Sequence, residues 1–560
     1  MQDADLKPFA LSTPHTAAAT RRRRIVVNHQ VDGLLKAVNA DMSIAEIMEY
    51  EFAFADEPGT HIDAQWWSWD NVFPLDHHKM INENAPSVPG YLSAEKVRTF
   101  ERWAENGINI AEIYIGETRQ RGLECFYSFR MNEDIGKNDE GDRTPEDWII
   151  PGEWDQPLMN LAVPEVRAHK VGYFRELVER YDFDGVEVDF ARGTINTPVG
   201  HQWEMRDVVT RFLHEVRAAT LEVERQRGRP VLVAVRVPDC LLGCTFDGLD
   251  VAAWISLNLA DIIVLGVRSH ELEIEQFTQL IGNRPVQVHA CLDDHHCSDG
   301  YSWPPIEVWR GSVCNWWSQG ADAIQTFNWG VAPPAMAERF GLRFRGAYEE
   351  GGRQIPVYQQ AYHELGDPEA LRFRDKHFIV QRRGGGGSGG MDIDQWATPR
   401  HNYQNTNMLG QLPAPLDPGG RVDTLVRLRV EQDLHGDAGH LSSLTLRLLL
   451  SASPPDRRKP EPGPGQLEAV SINPFWDGDQ LFTRPLATGA AARLQVRVNN
   501  YLLTAPRVEG GWIVYELPPA ALARGGNLIG VALEESSANG PATLEKLEVH
   551  ALFRDPSAKV

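Results

Sequence analysis

The sequence predicts an α/β protein, a (β/α)8 barrel followed by an antiparallel β-sandwich. Three observations carry that prediction. From about residue 25 a short apolar strand followed by a helical stretch recurs eight times, and such alternation argues for a parallel sheet. Eight is a number of strands that closes a barrel. Beyond a Gly-rich tract the periodicity changes to short alternating segments punctuated by Pro and Gly, the pattern of an antiparallel sandwich.

Taken in order, the expected strands are Ile25 to Asn28, Ile62 to Trp66, Glu124 to Phe129, Gly185 to Phe190, Val231 to Val235, Ile262 to Gly266, Val286 to Ala290 and Ala323 to Phe327. Between them, Ser93 to Asn106, Val163 to Tyr181, Gln202 to Arg227 and Glu307 to Gln319 carry apolar residues at helical spacing. The long insertions after the second and third strands fall on the side where a barrel keeps its chemistry. The rhythm ends near residue 345, and Gly384-Gly-Gly-Gly-Ser-Gly-Gly390 reads as a linker or mobile loop. Sandwich strands follow at Arg421 to Arg429, Leu441 to Leu450, Arg493 to Leu503, Gly511 to Leu517, Leu528 to Leu533 and Leu544 to Phe553. The expected organisation is an N-terminal extension (1–24), a barrel (25–345), a connecting segment (346–395) and a sandwich (396–560).

At 560 residues the chain exceeds the size at which one core stops growing, so two domains are expected. The net charge of −23 disfavours nucleic acid or an anionic membrane as partner, since phosphate binding wants a basic face. No run of 18 apolar residues occurs, and Arg21 to Arg24 follow a polar stretch rather than an apolar leader core. The chain as written therefore reads as cytoplasmic, and the four arginines as a solvated lead-in. Six cysteines are too few for a disulfide scaffold and read as free thiols. The stretch His289-Ala-Cys291-Leu-Asp293-Asp294-His295-His296-Cys297 is rich in metal-ligand types but has neither a CxxC pair nor an HExxH helix. No metal or cofactor is expected, and assembly into a homo-oligomer stays open.

The most informative segment is Tyr181-Asp-Phe-Asp-Gly-Val-Glu-Val-Asp-Phe-Ala-Arg192. Strand side chains alternate, so Glu187 and Asp189 share a face opposite Val186, Val188 and Phe190, with Asp189 about 6.5 Å further along at roughly 3.3 Å per residue. Asp189 then lies at the barrel mouth as nucleophile or base. Glu187 sits deeper, either catalytic or as a support for Asp189 and Arg236. The competing reading is structural, with both acids pairing Arg192 or capping the next helix.

Catalysis by a carboxylate pair needs a second acid. Asp239 leads, followed by Glu133 and by Asp293 or Asp294. Arg130, Arg192 and Arg236 would gather near these carboxylates, where a cation favours an ionised acid. They either neutralise the chain's own acids or bind an acidic sugar. Asp70, Asn132, Asn328 and Gln325 offer polar groups for hydroxyls, and His289 either reaches substrate or satisfies a core bond. Of Trp66, Trp67, Trp69, Trp303, Trp316, Trp317 and Trp329, the expected sugar-stacking rings are Trp69 and Trp329.

Five stretches carry a family resemblance: Phe129-Arg-Met-Asn132, the strand-four segment, Val235-Arg-Val-Pro238, Gly248-Leu-Asp-Val-Ala-Ala-Trp254 and Phe327-Asn-Trp329. Together they resemble the glycoside-hydrolase-like TIM-barrel family, the family 10-like glycosyl hydrolases of uncharacterised substrate. Gln495-Val-Arg-Val-Asn-Asn-Tyr-Leu-Leu503 and Gly525-Gly-Asn-Leu-Ile-Gly-Val-Ala532 resemble the jelly-roll modules that accompany sugar-active enzymes, either bracing the barrel or binding carbohydrate. The resemblance implies hydrolysis of an oligo- or polysaccharide by a pair of carboxylates. Strand four is also similar to the chitinase signature Asp-Gly-x-Asp-x-Asp-x-Glu, but Ala191 stands where the acid/base glutamate would be, which argues against substrate-assisted hydrolysis. A non-catalytic carbohydrate-binding barrel is the main rival. An amidohydrolase fits poorly, because Asn28-His29-Gln30 lacks the His-x-His pair. No GxGxxG follows a strand, so dinucleotide binding fits poorly as well.

Overall fold

The structure is a computed structural model. It describes residues 6–30, 43–68, 102–103, 105–131, 145–151, 158–191, 195–266, 269–293, 301, 304–339, 347–350, 353–382, 409–451, 491, 493–534 and 542–554. Most of the expected Ser93 to Asn106 helix and all of Gly384 to Gly390 lie outside these residues.

Eight parallel strands close into a barrel in sequential order: β1 (Ile25–Gln30), β2 (Ile62–Ser68), β3 (Glu124–Arg130), β4 (Gly185–Asp189), β5 (Leu232–Val237), β6 (Ile262–Leu265), β7 (Gln287–Asp293) and β8 (Ala323–Phe327). Each begins within a residue or so of its expected position. The outward faces of these strands, including Val186, Val188, Val233 and Val235, pack against the helices in one large core. The inward faces form a second, smaller core of Val26, Ala64, Trp66, Phe126, Leu232, Ala234, Ile262, Val264, Cys291, Ala323 and Phe327. Trp66 lies flat on Phe126, with centroids 4.5 Å apart and planes at 4°, so stacked rings fill the interior. Gly185 is required there, since a Cβ would stand 2.5 Å from the Phe126 ring and 2.7 Å from Leu232 O.

The lower end is sealed by the N-terminal segment; Arg21 and Arg22 are exposed, as expected of a solvated lead-in, but Arg23 is buried and Arg24 half-buried, which corrects that reading for these two. The helix Thr13–Ala19, capped by Ser12, lies beneath the barrel, and Arg23 is fully buried. Arg23 grips Glu124 with two hydrogen bonds of 2.7 Å and donates to Gln287 at 2.7 Å. Beside it, buried His15 bridges Asp261 at 3.0 Å and Glu224 at 2.6 Å, and Arg217 pairs Asp261 at 2.8 Å. A buried charge needs a partner, and each of these has one from a distant part of the chain.

Two hairpin strands, β9 (Ala347–Glu350) and β10 (Arg353–Pro356), follow the barrel. The remaining strands are β11 (Lys376–Ile379), β12 (Ala414–Pro415), β13 (Thr424–Val430), β14 (Leu441–Ser451), β15 (Leu494–Val498), β16 (Tyr501–Leu503), β17 (Arg507–Glu509), β18 (Trp512–Glu516), β19 (Gly525–Leu533) and β20 (Thr543–Phe553). They form two antiparallel sheets, ordered β11-β20-β14-β18-β17, with β12 beside β20, and β13-β19-β15-β16. Their facing apolar residues share one core. The expected strand Arg493 to Leu503 is instead a hairpin, because Asn499 and Asn500 both adopt positive φ, 48° and 68°, as a tight two-residue turn requires. Strand β11 precedes the Gly-rich tract yet pairs with β20, so the chain enters the sandwich earlier than its alternation suggests. The described cysteines Cys125, Cys240, Cys244, Cys291 and Cys314 are free thiols.

Candidate active site

The carboxyl-terminal mouth of the barrel gathers charge that the apolar pattern of the strands does not require. Parallel register sets Arg130 beside Asp189 and Asp189 beside Arg236. One level deeper, Ser128 lies beside Glu187 and Glu187 beside Ala234. Neighbours in register point to the same face of a sheet, so the acid of β4 stands between two cations supplied by β3 and β5.

Glu187, fully buried, is the hub of the deeper layer. It accepts from Asn28 Nδ2 at 2.8 Å, from the Ser128 hydroxyl, from Arg236 Nη2 at 2.9 Å and from Gln325 Nε2 at 3.5 Å. Four strands therefore converge on one carboxylate. Burial raises the pKa of Glu187 above the ordinary range; Arg236 pulls it back, and the charge of Asp189 adds to the rise.

Asp189 is also fully buried. One carboxylate oxygen accepts the backbone N–H of Ala191 at 2.9 Å, and the other lies 3.6 Å from Arg236 Nε. Arg236 in turn donates to Cys291 Sγ at 3.2 Å. Arg130 donates to Gln30 Oε1 at 3.0 Å. The guanidinium groups of Arg130 and Arg236 stand 5.0 and 4.6 Å from the centre of the Phe327 ring, so the ring helps to fix both cations.

Two further acids lie at the same end. Asp239, two residues beyond β5, accepts a hydrogen bond from Ser269 Oγ, and Asp293 ends β7; both are buried. The mouth thus combines Asp189, Asp239 and Asp293 with two arginines.

Other sequence-derived candidates are placed elsewhere. Trp329 is not an open stacking ring: it is 3% exposed, its indole N–H donates to Leu292 O at 3.0 Å, and it packs 4.4 Å from Trp309. Trp66 fills the barrel interior, and Trp67 and Trp316 belong to the core around it. His289 is fully buried on the middle of β7, with Nε2 3.2 Å from Gln287 Oε1. Burial holds its pKa well below the ordinary value, so the neutral ring satisfies a core bond and lies below the mouth. Asn328, at φ 55°, ties β8 to β1 by accepting the Gln30 backbone N–H at 2.9 Å. Trp69, Asp70, Asn132, Glu133, Arg192, Asp294 and Trp303 lie outside the described residues.

The support residues Ser128, Asn28 and Ser269 were missed by sequence reasoning. Ser128 and Asn28 carry a signal, a polar residue on the inward face of a strand at period two from Arg130 and Gln30. Ser269 carries none, since it reaches Asp239 from a loop.

No family model matches the chain, and no curated protein matches it. Among solved structures it is similar to α-L-fucosidase isoenzyme 2 from Paenibacillus thiaminolyticus, at 11% identity and TM-score 0.38, covering 96% of this chain and 100% of that one. It is similar to a GH27 β-L-arabinopyranosidase from Geobacillus stearothermophilus at 10% identity and TM-score 0.35, with 94% and 100% covered. A third is a cycloisomaltooligosaccharide glucanotransferase from Paenibacillus sp., at 11% identity and TM-score 0.32, where 94% of this chain matches 57% of that chain.

Proposed function

We propose that this protein is a glycoside hydrolase that cleaves a glycosidic bond at the barrel mouth with Asp189 and a second carboxylate. The observation that carries the reading is the register Arg130–Asp189–Arg236 at the carboxyl ends of β3, β4 and β5, with Asp239 and Asp293 at the same end. Asp189, flanked in register by two arginines at the mouth, is placed as a nucleophile or a base. Glu187 is the positioning residue beneath it, because its oxygens are already taken by Asn28, Ser128 and Arg236. Asp239 and Asp293 are the candidates for the acid. The family 10-like assignment belongs to this proposal and rests on the strand-end motifs.

The two arginines face acids of the chain itself, so the charge balance favours no anionic sugar over a neutral one. The test is a panel of aryl glycosides and polysaccharides, uronides included, assayed with the wild type and with Asp189→Asn, Asp239→Asn and Asp293→Asn. Turnover abolished by Asp189→Asn and by one of the other two supports the reading and identifies the acid. Saturable sugar binding without turnover in the wild type would replace it with a carbohydrate-binding barrel. Activity retained in Asp189→Asn would reject the role of that residue.

A further inference from the structure

The sandwich sheet whose strand β11 packs against the barrel helix Ile306–Ser318 carries a second group of chemically matched side chains. Glu548 and His550 are two apart on β20, and period-two alternation puts them on one face. Antiparallel register sets His377 of β11 directly opposite His550. Leu547, Val549 and Ala551 between them point into the sandwich core, so this face is turned away from it. Two positions on one strand and one across the ladder bring three ligand types together, with one ligand atom from each lying within 4.8 Å of the others.

We propose that His377, Glu548 and His550 form a binding site for a divalent transition-metal ion of the zinc class, a site independent of the hydrolase reading. Two imidazoles and one carboxylate form a donor set typical of zinc, with a fourth position left for water. A tetrahedral ion at about 2.0–2.1 Å needs ligand atoms roughly 3.3–3.5 Å apart, so Glu548 and His550, now 2.7 Å apart, must open by roughly 0.6–0.8 Å, while any pair near the 4.8 Å limit must close. The two rings now stack, with centroids 3.4 Å apart and planes at 7°. Ligation requires them to turn until their lone pairs converge.

One donor atom is unengaged: His377 Nδ1 is buried and makes no hydrogen bond.

The surroundings select the ion. Glu548 Oε2 meets His550 Nε2 at 2.7 Å, while Oε1 accepts from the Tyr301 hydroxyl at 2.9 Å. Tyr301 thus orients the carboxylate from outside the ligand set, as second-layer partners do in metal sites. Lys546 lies 3.9 Å from Glu548, with its ammonium over the Tyr301 ring at 4.0 Å. Arg447 is the β14 register partner of Glu548, and Arg310 also acts on His377. With one carboxylate among three nearby cations, magnesium or calcium, which want several charged oxygens, is disfavoured. Ions that bind neutral imidazole are favoured.

The experiment uses the full chain, stripped by chelator and titrated with zinc chloride in a calorimeter, with cobalt(II) as a spectroscopic substitute. The expected result is uptake of an equivalent that is weakened at least about tenfold in His377→Ala and His550→Ala, and about tenfold in Tyr301→Phe. Four-coordinate cobalt bands should appear in the wild type and vanish in His550→Ala. Glu548→Gln keeps the shape of the side chain and should weaken zinc, with circular dichroism of the metal-free variant checking that it folds. No uptake by the wild type overturns the proposal. Uptake that is equal in the wild type, His550→Ala and Glu548→Gln also overturns it and assigns the ion to other ligands, with His295, His296 and Cys297 next to be replaced.

Discussion

The two ends of the barrel make opposite use of buried charge. At the floor, Arg23 is answered by Glu124 and Gln287, and Asp261 by Arg217 and His15, with α-helical Thr13–Ala19 closing the opening. At the mouth, Arg130 and Arg236 flank Asp189 in register, with Glu187 tied down beneath it and two more acids near. Under the proposed function the floor serves stability and the mouth chemistry, the division expected of parallel barrels. Burial alone does not make an ionisable group functional; its place along the barrel axis distinguishes the two cases.

Asp189→Asn should break the comparison hardest. Under the proposed mechanism, kcat should fall by about 10³-fold or more, with Tm and circular dichroism near wild type. A large loss of stability with only a modest loss of rate would make the mouth another structural network. The opposite outcome is expected from Arg23→Met, which leaves Glu124 buried without its ion partner. The barrel should lose about 3–5 kcal/mol of stability while kcat per folded molecule is kept, measured by urea unfolding alongside active-site-normalised rates.

Glu187→Gln should fall between the two, since the amide retains the shape but leaves Arg236 without its main carboxylate partner. We expect kcat to drop about 10–100-fold with KM little changed and the pH–rate profile shifted, a signature that distinguishes positioning of Asp189 from simple destabilisation.

The smallest effect concerns pH and the floor. Burial works against charge on His15, but the hydrogen bond and charge of Asp261, with Glu224, raise its pKa above the ordinary value. A raised folded pKa contributes stability that is present in full below the unfolded value, about 6.5, and is lost as pH rises through the folded value. His15→Gln should therefore cost more stability at pH 5.5 than at pH 9, as read by paired unfolding curves. Equal penalties at both pH values would show that His15 acts only as a neutral hydrogen-bond bridge.

Much of this was legible in the chain. The eight strands announce themselves by apolar runs, and period two alone puts Glu187 and Asp189 on one face with Asp189 outermost. Most sandwich strands were visible for the same reason, but β11, β12 and β17 were not, and the expected strand Arg493 to Leu503 is divided at Asn499-Asn500, where a polar pair inside an apolar run marks the reversal. Trp329 was misjudged because a tryptophan just past a strand end reads alike whether the loop turns it outward or folds it onto Trp309. Arg23 was misjudged because a run of four arginines carries no record of Glu124, 101 residues away.

By itself, then, the sequence determined the element order, the barrel and sandwich classes, and the inward face of each strand, because these follow from local periodicity and backbone sterics. Only the tertiary structure decided which side chains meet: Asp189 with Arg236, Arg23 with Glu124, His377 with His550. Those pairings depend on register between strands and on closure of the barrel and sandwich, and register is a property of paired chains that no single segment encodes.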